Sequence, residues 1–144
     1  MLRRNILKHC LSFVVLVLMV VLAIGSGGSS TDTSTKKVQS QKPKYTVSAS
    51  QIFKEYVDNE IAADDKYKGQ VIIISGVVSD IGRDITEEAY INLSTGDPFF
   101  DVQCLFTKGE EPAVAKLSKG KNVRIKGVVS GKIGLVTLQD CSLQ

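Results

Sequence analysis

Few residues in this chain have side chains able to make or break bonds. The only histidine, His9, precedes a long apolar run, which leaves no imidazole for a catalytic triad or a zinc site in residues 45–144. Ser79 and Ser130 fall inside a repeated strand motif and are expected to face solvent or a neighbouring strand. The carboxylates Asp80, Asp84, Glu87 and Glu88 gather near Arg83, but glycoside chemistry needs two carboxylates flanking a cleft, which so small a domain struggles to enclose. Asp64 and Asp65 are adjacent, without the alternating oxygen ligands and central glycine of a calcium loop, and read as a solvated turn. The chain is therefore expected to be no enzyme and to hold neither metal nor cofactor. Two thiols remain. Cys104 and Cys141 are the only cysteines after the leader, and an even pair in an exported domain suggests a disulfide; the alternative is two buried thiols packed as small hydrophobes.

The elements that position these groups are mostly strands. Gly69–Gly82 reads GQVIIISGVVSDIG and Gly120–Gly134 reads GKNVRIKGVVSGKIG, so Gly-Val-Val-Ser occurs twice inside long β-branched runs. A glycine within a strand marks a bend or a bulge, which a small closed barrel needs in order to turn its corners. Strands are predicted at about Gln70–Ile81, Ala89–Leu93, Phe99–Phe106, Asn122–Ser130 and Leu135–Leu143, with a short helix at Glu110–Leu117. Ahead of them, Ser48 and Gln51 form a capping box, and Val47 and Ile52 a hydrophobic staple. Apolar residues at Ile52, Phe53, Tyr56, Val57 and Ile61 then predict one helix running to about Ala63. Alternation puts Phe100, Val102, Cys104 and Phe106 on one face. Cys141 shares parity with Thr137 and Gln139, opposite Val136 and Leu138, and a bulge near Asp140 would be needed to bring it to Cys104.

Three strands, a helix and two strands in this order match a mainly β, five-stranded Greek-key barrel of the OB type, with an added N-terminal helix. The helix Ser50–Ala63, Asp65-Lys66-Tyr67-Lys68-Gly69, Gly76-Val77-Val78, Val102-Gln103-Cys104, Val123–Gly127 and Val136–Cys141 carry a further signal. Over about residues 46–144 the chain resembles the tRNA-anticodon-binding-like OB-fold family of bacterial envelope proteins. The resemblance implies the barrel; it implies no particular activity. Many members look like lipoproteins, whereas here Ser26 stands where a lipidation cysteine would follow the apolar run. OB barrels commonly bind ligands on the face of their second and third strands. That face would present Tyr90, Asn92, Phe99, Asp101 and Gln103, with Arg83 in the adjoining Gly82–Glu88 loop.

Charge narrows the partner. Residues 1–44 carry seven basic groups and one acidic group, a net of +6, and residues 45–144 carry 11 and 14, a net of −3. Single-stranded nucleic acid needs a cationic groove with aromatic platforms, and this face offers two aromatics beside a carboxylate. Lys121, Arg124, Lys126 and Lys132 cluster around the fourth predicted strand, where lysines commonly protect edges. Nucleic acid is thus the alternative, and an envelope protein, peptide or glycan the expectation. Arg3, Arg4 and Lys8 before Leu11–Ile24 predict a signal peptide or a transmembrane anchor in residues 1–24. Residues 25–44, rich in Gly, Ser, Thr and Lys, read as a flexible linker, and 45–144 as the exported domain, held at the membrane or secreted.

Overall fold

The computed structural model describes residues 31–144, with side chains from Lys36 onward. The expected membrane segment, with His9 and Cys10, lies outside them. Among the described residues no helix is long and apolar enough to cross a membrane.

The two glycine-bent runs form the longest strands, and the barrel is built around them. After a short N-terminal strand β1 (Tyr45–Ser48) come β2 (Val71–Arg83), β3 (Ala89–Ser94), β4 (Asp101–Phe106), β5 (Asn122–Ile133) and β6 (Leu135–Leu143). They pair in the order β1-β2-β3-β4-β6-β5, and β5 returns onto β2 to close a five-stranded barrel of the OB type. The β1–β2 and β4–β6 pairs are parallel and the others antiparallel. Strand β2 serves two partners by bending. Residues 71–77 pair with β5, and from Val78 the strand turns to β3. Gly76 sits at that corner, where a Cβ would lie 3.2 Å from the Cβ atoms of both Ala49 and Leu93. Close approach explains the glycine there. Ile72, Ile74, Ile91, Leu93, Val102, Phe106, Ile125 and Leu138 fill the interior.

Three predicted features differ in the structure. First, the single helix is two, α2 (Ala49–Asp58) and α3 (Glu60–Tyr67). Asn59 separates them in extended backbone (φ −161°, ψ 96°); its N–H donates to the Glu55 carbonyl, and its side chain accepts from Ala62 N–H at 3.1 Å. The same residue thus ends one helix and caps the next, the role asparagine favours. The break turns Tyr56, Ala63 and Tyr67 into the core and leaves Val57 and Ile61 at 61% and 78% exposure, off the face the periodicity gave them. Asp64 and Asp65 are helical and not a solvated turn; Asp64 accepts from the Tyr56 hydroxyl at 2.9 Å and pairs with Lys68. Ser48 caps Gln51 N–H as expected, while the Gln51 side chain turns to Glu55, so the capping box is half formed.

Second, part of the expected flexible linker is ordered. Thr31–Ser40 forms helix α1, with Val38 buried, and β1 pairs with residues 72–75 of β2. Lys126, only 6% exposed on β5, donates from Nζ to the Gln39 carbonyl at 2.7 Å, and Gln39 donates to Glu110 at 2.7 Å. A cation at a helix C-terminus satisfies an orphan carbonyl and complements the dipole. Composition alone hides this, because the barrel supplies the contacts. Third, the helix between β4 and β5 is shorter than Glu110–Leu117: a 3₁₀ turn at Lys108–Glu110 leads into α4 (Glu111–Val114), which buries Val114.

Candidate functional site

Strict alternation builds the ligand face. On β3, Ala89, Ile91 and Leu93 point inward, leaving Tyr90, Asn92 and Ser94 outward; on β4, Val102, Cys104 and Phe106 point inward, leaving Asp101, Gln103 and Leu105 outward. Register then sets Tyr90 beside Leu105, Asn92 beside Gln103 and Ser94 beside Asp101. The structure thus brings together four of the expected site residues, Tyr90, Asn92, Asp101 and Gln103. Phe99 is not on the strand, as expected, but in the β3–β4 loop, 83% exposed at the rim of the face. Phe100 is also outside the strand; it is 43% exposed and stacks on Phe53 of α2, with ring centroids 5.9 Å apart. Arg83 ends β2 opposite Ala89, next to Gly82, the register partner of Tyr90, and so borders the face at its Tyr90 end.

The polar groups on and beside this face are joined to one another. The Tyr90 hydroxyl donates to Asp80 at 2.8 Å, and Lys119 pairs with the other oxygen of that carboxylate at 2.6 Å. The hydrogen bond from Lys119, followed by that from Tyr90, holds the Asp80 carboxyl below its ordinary range, while bonding to Asp80 raises the Tyr90 phenol. Ser79 donates to Asp101 at 2.6 Å and lies 3.0 Å from the Asn92 carbonyl. The side-chain oxygen of Asn92 is buried without a hydrogen-bond partner. Arg83 forms a two-pronged pair with Glu111 at 2.6 and 3.1 Å and also donates to the Glu87 carbonyl at 2.8 Å, which lowers the Glu111 carboxyl. In the Gly82–Glu88 loop, Asp84 accepts from Thr86 and Glu88 N–H groups, and Ile85 stands fully exposed at the tip.

This surface pairs apolar rims with carboxylates. The basic cluster expected near the fourth strand does not assemble into a track. Lys126 is buried against α1, Lys132 pairs with Glu60 of α3 at 3.2 Å, and Arg124 lines a separate cleft of about 700 Å³ on the β2–β5 side, with Ser75, Leu117 and Val123. Sequence reasoning missed that cleft, because it depends on how the residues before β5 lie over β2. Among the described residues no three His, Cys, Asp or Glu side chains gather as metal ligands.

The cysteines sit beneath the face. Both are fully buried, and in the structure both are free thiols, without the disulfide expected between them. Asp140 adopts a left-handed backbone (φ 51°), and the β4–β6 register slips so that Cys104 faces Leu138 while Phe106 faces Cys141. The irregularity that parity required lies where it was expected.

A family model described as tRNA_anti-like matches residues 1–142. The chain belongs to the tRNA_anti-like family. No curated protein matches it. Among solved structures, a candidate nucleic acid-binding lipoprotein from Klebsiella pneumoniae is 22% identical, covering 83% of this chain and 99% of that one, with a TM-score of 0.58. An OBody bound to hen egg-white lysozyme is 18% identical, covering 54% and 84%, with a TM-score of 0.42. The asparaginyl-tRNA synthetase of Pyrococcus horikoshii is 18% identical, covering 54% and 20%, with a TM-score of 0.40. At 22% identity the likeness to the Klebsiella structure is one of fold. For this tRNA_anti-like chain, function must be argued from its own side chains.

Proposed function

We propose that this protein is a non-enzymatic OB-fold binding module of the bacterial cell envelope, whose β3–β4 face and Phe99 rim take a protein or peptide partner. One observation carries the reading: an outward face built on Tyr90, Asn92, Asp101 and Gln103, bordered by the 83% exposed Phe99, whose neighbouring cations Lys119 and Arg83 are already paired with carboxylates. Exposed aromatics beside polar groups mark interaction surfaces, and the 83% exposed Phe99 stands beside the outward Gln103 and Asp101. The basic leader with its apolar run supports an envelope location, as does the Klebsiella lipoprotein likeness.

Carrying the neighbour's nucleic acid-binding description to this chain is the competing reading, and the carboxylates Asp80 and Asp101 oppose it. The test is a photo-crosslinking residue at position 99 in the full chain, expressed in a cell envelope, beside anisotropy titration with a labelled single-stranded oligonucleotide. The expected result is a discrete protein adduct at position 99, absent with the crosslinker at Lys36, and oligonucleotide binding no tighter than about 10⁻⁴ M at physiological salt. Saturable, salt-dependent oligonucleotide binding that Tyr90→Ala and Phe99→Ala weaken would reverse the assignment.

A further inference from the structure

We propose that Cys104 and Cys141 are joined in the mature protein by a disulfide that locks the parallel β4–β6 seam of the barrel. The backbone departs from regularity to turn Cys141 into the core beside β4, the strand that carries Cys104. Between the Cys104–Leu138 and Phe106–Cys141 pairs, β6 uses three residues where β4 uses two. The extra residue is absorbed by Asp140, an aspartate in left-handed backbone (φ 51°), a conformation non-glycine residues seldom adopt. Without it Cys141 would point outward with Gln139, which is exposed. The neighbouring strand makes room for the sulfur. Gly127 of β5 has no side chain where a Cβ would sit 2.7 Å from Cys141 Sγ. Filling the core needs neither feature, since an apolar residue at an inward position of a regular β6 would suffice.

Both thiols are buried; burial foremost, and then hydrogen bonding with Cys104, pushes the Cys141 thiol well above its usual range. The Cys141 thiolate is therefore scarce in the folded chain, and oxidation accompanies folding, before β6 closes the seam. Two thiols give up two protons and two electrons to a disulfide donor such as oxidised glutathione; its S–S bond breaks to two glutathione thiols as the protein S–S bond forms. Once formed, the bond is sealed from reductants. The pair thus acts as a staple and not as a switch. The seam benefits, because a parallel ladder is the weaker kind.

The test uses the full chain with Cys10→Ser, reduced and unfolded, then refolded in detergent with reduced and oxidised glutathione at equal concentration. Acid quenching, alkylation in denaturant and peptide mass analysis read the pair. The expected outcome is roughly nine-tenths or more of Cys104 and Cys141 in one linked peptide. The thermal midpoint of that product should lie roughly 15–25 °C above that of the reduced chain. Separate alkylation of both cysteines in a chain with native near-ultraviolet circular dichroism would overturn the proposal. Should refolding fail, chain extracted from an oxidising compartment and alkylated before reduction gives the same reading: linked peptides support the staple, and two alkylated thiols refute it.

Discussion

Asn59 offers the sharpest test of how the N-terminal helices are held. Its Oδ1 accepts from Ala62 N–H at 3.1 Å, and its extended backbone interrupts what the apolar periodicity reads as one helix. Asn59→Ala removes that acceptor while leaving the backbone bond from residue 59 to Glu55 intact. The capping loss is about 1 kcal/mol at a solvent-exposed site. For a domain of this size that lowers the thermal midpoint by roughly 4–8 °C. Asn59→Asp should stay within about 0.3 kcal/mol of the parent, because aspartate caps as well as asparagine and its charge suits a helix N-terminus. Thermal unfolding of the three chains by circular dichroism measures the series. Alanine is the better helix former, so if α2 and α3 were one helix waiting to form, Asn59→Ala would stabilise the protein. A midpoint for alanine equal to or above the parent would refute the capping argument.

Gly127→Ala should cost about 1–3 kcal/mol in urea unfolding, because its Cβ meets Cys141 Sγ at 2.7 Å and the Gln139 carbonyl at 3.1 Å; an unchanged midpoint would show that β6 yields easily. Phe99→Ala should leave stability within about 0.5 kcal/mol, as its ring is 83% exposed, while abolishing partner capture at the rim. Asp64, Asp80 and Asp84 have carboxyls held below the ordinary 3.8, by Lys68, Lys119 and Thr86 first respectively. A lowered folded value means that this stability is complete above about pH 4 and is lost as pH falls through the folded values. Urea midpoints should therefore hold from pH 7 to pH 5 and drop toward pH 3, less steeply in high salt; a midpoint that rises in acid would contradict the ion pairs.

The barrel was legible because strands announce themselves twice over, by β-branched alternation and by the glycines that bend them. Gly76 and Gly127 mark the two corners, and alternation placed Val102, Cys104 and Phe106 inward and Asn92 and Gln103 outward. What the pattern could not show depends on partners distant in sequence. Helix α1 has one buried apolar residue, Val38, and its C-terminal end is held by Lys126, almost ninety residues away. Strand β1 has four residues and exists by pairing with β2. The ends of the face escaped for a related reason. Phe99 and Phe100 continue the alternation of β4, but the turn before them, where Asp97 accepts from Phe99 N–H and Thr95 bonds to the Phe100 carbonyl, takes both out of the ladder. Local polar bonding there competes with the strand.

Whether the face can accept a polyanion turns on magnitudes. The pairs Lys119–Asp80 and Arg83–Glu111 are partly exposed, with side-chain exposures of 66% and 37%, and of 50% and 22%. Such pairs are each worth about 1 kcal/mol or less, so their existence alone would not keep phosphate away. The carboxylates would. A backbone phosphate near Lys119 also meets Asp80, and one near Ser79 meets Asp101, so no counterion is released without equal repulsion. Removing the acids should then unmask the geometry. Asp80→Asn, Asp101→Asn and Glu111→Gln together free Lys119 and Arg83 and raise the charge of the face by three. With two cations unmasked, single-stranded oligonucleotide affinity should gain a salt slope of about 1.4, steep enough to detect between 50 and 200 mM salt. If the triple variant still ignores oligonucleotide at low salt, charge is not what excludes it, and the shape of the face beside Phe99 must be.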